Sequence, residues 1–162
     1  MATSRMLLTP FSAEIPSSAF PGLNTVNARP VLAFDASAQE TAYWTLIAPQ
    51  GLTGALSCVI TYMMASATSG NIEFEVAVEA ITDADATDLD ATTSFDTVNA
   101  SGAITVPGTA GYIDQVSVTL TNADSVAAGD LLRISISRDA DDGTNDTATG
   151  DLYLLMAELR EA

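Results

Sequence analysis

Gly129-Asp130-Leu131-Leu132-Arg133-Ile134-Ser135-Ile136-Ser137-Arg138-Asp139 is the stretch whose periodicity decides the fold. Gly-Asp is turn chemistry. Beyond it Leu132, Ile134 and Ile136 recur at every second position, while Arg133, Ser135 and Ser137 take the alternate ones. Side chains of an extended chain point alternately to opposite faces, so this pattern is a strand with one dry face. A loop rich in Asp, Gly and Asn follows, and a second apolar run, Gly150–Leu159, returns after it. The pair reads as two antiparallel strands joined by a long loop.

The same period extends outward along the chain. Ile72, Phe74, Val76 and Val78 alternate with glutamates, which predicts a strand over 72–80 with Glu73, Glu75 and Glu79 in water. Further strands are predicted over Val31–Asp35, Thr41–Ala48, Ala55–Met64 and Ile113–Thr121. A weaker one near Phe95–Val98 is continued by Ala103–Val106, and Gly, Pro and Asn punctuate the intervals. The run Asp151–Glu161 is rich in helix formers behind an Asp that resembles an N-cap. Strand is the preferred reading there, because Leu131–Arg138 needs a ladder partner. Eight strands without a convincing helix define an all-β fold, an eight-stranded antiparallel jelly-roll-like β-sandwich over residues 31–162.

Residues 1–30 differ in kind. They hold four of the six prolines, yet also Leu7, Leu8, Phe11, Ile15, Phe20 and Leu23. Proline at this density favours extended backbone outside regular ladders, so an extended N-terminal arm is expected. Apolar residues along such an arm need a surface to lie on. That surface is either the chain's own domain, which makes the segment a strap, or a neighbouring subunit, which makes these six residues partner-binding.

Composition narrows the function by exclusion. The 162 residues carry a net charge of −16, with 21 carboxylates against five basic residues, all of them arginine. A surface of this sign repels nucleic-acid phosphates and anionic lipid, so neither is an expected partner. Solubility, adaptation to salty water and a divalent-cation requirement are the available explanations of the charge. Charged residues are only 16% and hydrophobic residues 48%, which supports one packed domain over a disordered polyanion. Cys58, the only cysteine, alternates with Leu56, Ile60 and Tyr62 and reads as a core thiol. Met6-Leu7-Leu8 is broken at once by Thr9-Pro10, unlike a signal peptide, and no run is long enough to span a membrane; synthesis and assembly in the cytoplasm are expected.

Histidine and lysine are absent, which removes His-activated nucleophiles, Schiff bases, P-loops and His-ligated metals together. Paired carboxylates of a glycosidase remain as the only catalytic reading, resting on the loops 82–96 and 139–151. Solvated acidic turns account for the same residues, and no enzymatic activity is expected. Calcium is the other use of such loops, since it takes six to eight hard oxygens. Asp83, Asp85, Asp88 and Asp90 form one group. Asp139, Asp141, Asp142, Asn145 and Asp146 form the other, whose four aspartates are the candidate ligands, although Gly143 arrives one position early for an EF-hand loop. No other cofactor is implied. Tyr43, Trp44 and Tyr62 are aromatic enough to stack on a sugar, but Trp44 alternates with apolar neighbours and reads as a core or subunit-interface residue.

The Gly129–Asp139 run, its Asp/Asn-rich loop and Gly150-Asp151-Leu-Tyr-Leu-Leu resemble the closing strands of small jelly-roll proteins of tailed-phage virions. The strands Ala42-Tyr-Trp-Thr-Leu-Ile-Ala-Pro49 and Cys58-Val-Ile-Thr-Tyr-Met-Met-Ala65 fit the same pattern, which covers the chain from about Val31 onward. The resemblance implies a non-enzymatic virion structural protein. It would be a capsid decoration (cement) protein that binds the major capsid protein and copies of itself as a homotrimer, assembled in the host cytoplasm and located on the virion. A receptor- or glycan-binding module of a head or tail fibre is the alternative it implies.

Overall fold

The structure is a computed structural model that describes residues 5–91 and 93–161. Residues 1–4 of the expected arm, Thr92 of the acidic loop and the last residue, Ala162, lie outside it. Twelve strands are described: β1 (Arg5–Leu8), β2 (Gly22–Val26), β3 (Arg29–Phe34), β4 (Glu40–Ile47), β5 (Leu56–Met64), β6 (Asn71–Ile72), β7 (Phe74–Ile81), β8 (Asn99–Ala100), β9 (Ile104–Thr105), β10 (Asp114–Leu120), β11 (Leu131–Arg138) and β12 (Leu152–Glu161). One short 3-10 turn, Pro10–Ser12, completes the regular structure.

The order of strands shows why the chain closes on itself. One sheet runs β10-β5-β12-β3-β2, with β1 also on β12; the other runs β4-β11-β7-β8. Taking β3, β4, β5, β7, β8, β10, β11 and β12 as eight successive strands, the first pairs with the last, the second with the seventh, the third with the sixth and the fourth with the fifth. Nested antiparallel pairs of this kind are one long hairpin rolled into two facing sheets, the jelly roll. The protein is therefore an all-β sandwich of the expected class. The fifth strand falls at Asn99–Ala100, after the expected Phe95–Val98, which is irregular.

Period-two burial builds the core between the sheets. Leu132, Ile134 and Ile136 of β11 face Trp44 and Ala42 of β4 and Val76 and Val78 of β7 within their own sheet. Cys58, Ile60 and Tyr62 of β5 and Leu152, Leu154, Ala157 and Leu159 of β12 fill the layer opposite. At about 25 cal/mol per Å² of apolar surface, a core of this kind is the main stabilising term. β12 is the strand that sequence left closest to a helix. Its inward residues are spaced two, three, two, because a bulge between Leu154 and Met156 resets the phase where its neighbour changes from β3 to β1.

The two closing strands do not pair with each other as the sequence led one to expect: β11 lies between β4 and β7 in one sheet and β12 between β5 and β3 in the other, so the loop joining them crosses the sandwich. A glycine precedes each of them. Gly129 enters β11 at φ +91°, and a Cβ there would lie 2.8 Å from Gln50 Nε2. Gly150, before β12, passes so close to Ala67 that a Cβ would sit 2.8 Å from its backbone nitrogen.

The N-terminal segment lies as a strap on its own domain, one of the two surfaces its sequence called for. β1 adds to β12, the chain then crosses to the edge of β4, and β2 returns to pair with β3. Glu14 exchanges backbone hydrogen bonds with Tyr43, and Thr41 N–H donates to Ala19 O. Leu8, expected among the partner-binding residues, is buried in the core with Met6 and Pro10. The boundary expected at residue 30 falls inside the tight β2–β3 hairpin, whose turn residues Asn27 and Ala28 both have positive φ.

Candidate functional site

Arg138 organises the long loop that carries the calcium candidates. It follows Leu132, Ile134 and Ile136 on the inward face of β11, and its side chain is fully buried. A guanidinium has five N–H donors, and all five are used. Nε and Nη2 each donate to an Asp146 carboxylate oxygen at 2.8 Å, Nη2 also donates to Ala148 O, and Nη1 donates to Gly150 O and Asp35 O. Asp146 further accepts the backbone N–H of Glu73 at 3.3 Å. One candidate ligand of the four is thus engaged by an internal cation.

The remaining acidic residues gather around a residue that the sequence had placed in water. Carboxylate oxygens of Glu73, Asp139 and Asp142 lie within 4.8 Å of one another. Glu73 is buried because it sits at the break between β6 and β7, under the loop that Arg138 holds; burial pushes its pKa up. Asp139 is pushed up to about 7, first by burial, then by a hydrogen bond with Asp141 and by the charges of Glu75, Asp141 and Glu73. Asp142 is held low by backbone N–H donors from Thr144 and Asn145. Asp141 is exposed at the rim. Three carboxylates of six to eight required oxygens make at most part of a calcium shell. Glu73 escaped the sequence reading because alternation alone cannot foresee a loop folding over the outer face.

The outer face of the four-stranded sheet is the second constellation. Register stacks its outward residues in rungs across β4, β11 and β7: Ile47–Leu131–Ile81, Thr45–Arg133–Glu79, Tyr43–Ser135–Ala77 and Thr41–Ser137–Glu75. The strap flanks this face on the β4 side and the 82–98 loop covers it on the β7 side. Arg133 lies over the Tyr43 ring at 4.7 Å and the Phe95 ring at 5.7 Å, and its Nε is 3.3 Å from Glu14 Oε2. Glu79 is buried, accepting the N–H and Oγ–H of Ser94. Glu73 and Glu79 therefore correct the expectation that the β7 glutamates are all in water; Glu75 is half-buried and accepts from Gln39.

The other sequence candidates resolve by burial. Trp44 is a core residue whose indole N–H donates to Thr9 O at 2.9 Å, fastening the strap. Tyr62 is buried edge-on against Phe74, with its hydroxyl 3.0 Å from Asp114 Oδ2. Tyr43 alone of the three aromatics reaches the surface, and Arg133 occupies its ring face. Cys58 is fully buried, and burial pushes its thiol up to about 12, which leaves no nucleophile at neutral pH. Leu7, Phe11, Ile15, Phe20 and Leu23 are all exposed on the strap.

No protein-family model matches the chain, and no curated protein matches it by sequence. Among solved structures it is similar to a CBM35 module from Cellvibrio japonicus Abf62, with a TM-score of 0.56 and 8% identity over 96% of this chain and 92% of that one. It is less similar to infectious bursal disease virus Gx strain, with a TM-score of 0.44 and 7% identity over 99% of this chain and 32% of that one. A third match is the Clostridium thermocellum xylanase 10B CBM22-1–GH10 structure complexed with xylohexaose, at 0.43 and 13% over 99% and 24%. The first likeness shows a shared jelly-roll β-sandwich fold; the other two carry no argument. Among the described residues no helix is long and apolar enough to cross a membrane.

Proposed function

We propose that the protein is a non-enzymatic structural component of a tailed-phage virion, a decoration protein that binds the major capsid protein and reinforces the shell as a homotrimer. One observation supports this reading. Of the eleven large hydrophobic residues exposed among the described residues, five (Leu7, Phe11, Ile15, Phe20 and Leu23) lie on the strap. Exposed apolar side chains concentrated on one ordered segment mark an interaction surface. Because β1, the Glu14–Tyr43 bridge and β2 hold the strap in place, those side chains are presented without a further ordering cost on binding. The strongly acidic remainder of the surface suits a protein that stands outside packaged nucleic acid.

Deleting the strap is a poor test, since it removes Leu8 from the core and the acceptor of Trp44. The combined substitution Leu7→Ser, Phe11→Ser and Leu23→Ser alters only exposed positions, so the melting temperature should hold to within about 2 °C. Trimer formation in sedimentation velocity and co-sedimentation with purified capsid shells should both be lost. Retention of both in a folded variant refutes the proposal.

A second reading, a receptor- or glycan-binding module of a head or tail fibre, takes its support from the fold shared with a carbohydrate-binding module and from the acidic loops at 82–96 and 139–151. Alanine at Asp141 and Asp142 should then abolish host adsorption or glycan-array binding while particle stability is unchanged. Asp146 is unsuitable for that test, because its loss strands Arg138.

A further inference from the structure

The outer face of the four-stranded sheet ends in a trough that the strap leaves open. Its floor is the apolar rung Ile47–Leu131–Ile81, and Leu89 from the 82–98 loop forms one wall. Two adjoining cavities of about 310 and 330 Å³ share Ile81, Leu89 and Leu131. Ile47 and Leu89 are more than half exposed although they border this concavity. The rim is acidic at one end, where Asp83 and Asp85 are exposed; at the other, Glu14 is paired with Arg133 and Glu79 is buried beneath Ser94.

We propose that this trough docks a segment of another protein in which aliphatic side chains flank a lysine or arginine. The aliphatic floor sets the first requirement and the exposed carboxylates of Asp83 and Asp85 the second. A sugar fits poorly, since the surface aromatic rings at this face among the described residues, Tyr43 and Phe95, are faced by the Arg133 guanidinium and offer no free stacking platform. A second copy of this chain brings 21 carboxylates against five arginines to an already acidic rim, and like-charge juxtaposition opposes it. A cationic segment is instead drawn in by the whole field of a chain with net charge −16. This surface is distinct from the exposed residues of the strap, so it stands whether or not the strap binds a shell.

The test uses the full chain and three fluorescein-labelled decapeptides with alternating Leu/Lys, Ser/Lys and Leu/Glu sequence, followed by anisotropy. The Leu/Lys peptide should bind, and binding should weaken as salt rises from about 50 to 300 mM because Debye screening shortens the field. Leu89→Ser, and separately Asp83→Asn with Asp85→Asn, should each weaken it about tenfold, the effect of one well-placed contact. All three positions are exposed, so the variants stay folded. Equal binding of the Ser/Lys peptide would show bare charge attraction and overturn the proposal. Unchanged affinity in both variants, preference for the Leu/Glu peptide, or no binding at about 1 mM overturns it equally.

Discussion

Replacing Asp146 by alanine tests the packing argument at its most demanding point. The Arg138 guanidinium has no solvent exposure, and among the described residues Asp146 is the only anion bonded to it; its other three hydrogen bonds go to the carbonyls of Asp35, Ala148 and Gly150. Breaking a buried pair from one side costs about 3–5 kcal/mol, because the surviving charge stays desolvated. In a domain of this size each kcal/mol lowers the melting temperature by about 2–4 °C, so Asp146→Ala should lower it by about 6–20 °C. Arg138→Met should cost a similar amount, leaving a buried carboxylate and three unpaired carbonyls. The double variant Arg138→Met with Asp146→Ala contains no buried charge at this place, yet still orphans the three carbonyls at about 1 kcal/mol each. Its loss should therefore equal roughly one single variant rather than the sum of two, a coupling of at least about 2 kcal/mol. Urea denaturation of the four proteins measures the cycle. A single-variant loss below about 1 kcal/mol, or simple additivity, would refute the claim that this pair holds the loop shut.

Three further outcomes follow from the same structure. Asp139 has a folded pKa of about 7 against an ordinary 3.8, so the folded state holds the proton more tightly; the stability this contributes is present below about pH 4 and lost as pH rises through 7, and Asp139→Asn should flatten that decline in pH-dependent melting curves. Calcium at Glu73, Asp139 and Asp142, which joins two of the sequence candidates to a residue the sequence missed, requires a rise in melting temperature on adding Ca²⁺ at pH 7 that Asp139→Asn abolishes; an unchanged melting temperature retires it. Ala28 sits at φ +62° as the second residue of the β2–β3 turn, where a side chain costs about 1–2 kcal/mol, so Ala28→Gly should raise the melting temperature by about 2–4 °C per kcal/mol recovered, and a fall would show that the turn is not of this type.

What sequence could and could not disclose divides along one physical line. Residues whose environment is set by their own strand were legible: the two-residue period of β11, β7, β10 and β5 is imposed by pleat geometry alone. Residues whose environment is set by a distant loop were not. Glu79 has the same local signature as any solvated glutamate, and only the return of Ser94 over the sheet buries it. β2 escaped for another reason. Its five residues lie mostly in water on the sheet edge, so no apolar alternation marks them, and the turn that creates the strand uses Asn-Ala where Asn-Gly would have announced a hairpin. Arg138 was recoverable in principle. It falls in phase with Leu132, Ile134 and Ile136, and a charged residue at an inward position demands an anion nearby, which Asp146 in the following loop supplies.

The strap joins these strands of argument into one consequence. A jelly roll whose two sheets meet only through side chains has little resistance to sliding beyond packing, and β1, the Glu14–Tyr43 bridge and β2 tie both sheets with backbone hydrogen bonds. The same segment carries the exposed apolar residues on which the virion reading rests. Anything that binds them therefore also loads the tie between the sheets, and by linkage must stabilise the sandwich against unfolding. A decoration protein that reinforces a shell and is itself stabilised by attachment needs this coupling, whereas a fibre module that reads glycans through the loops at 82–96 and 139–151 does not. Measured on bound and free protein, amide exchange in β4 and β12 separates the two: protection rising at Tyr43 and Leu159 on capsid attachment supports the decoration reading, and protection confined to the acidic loops counts against it.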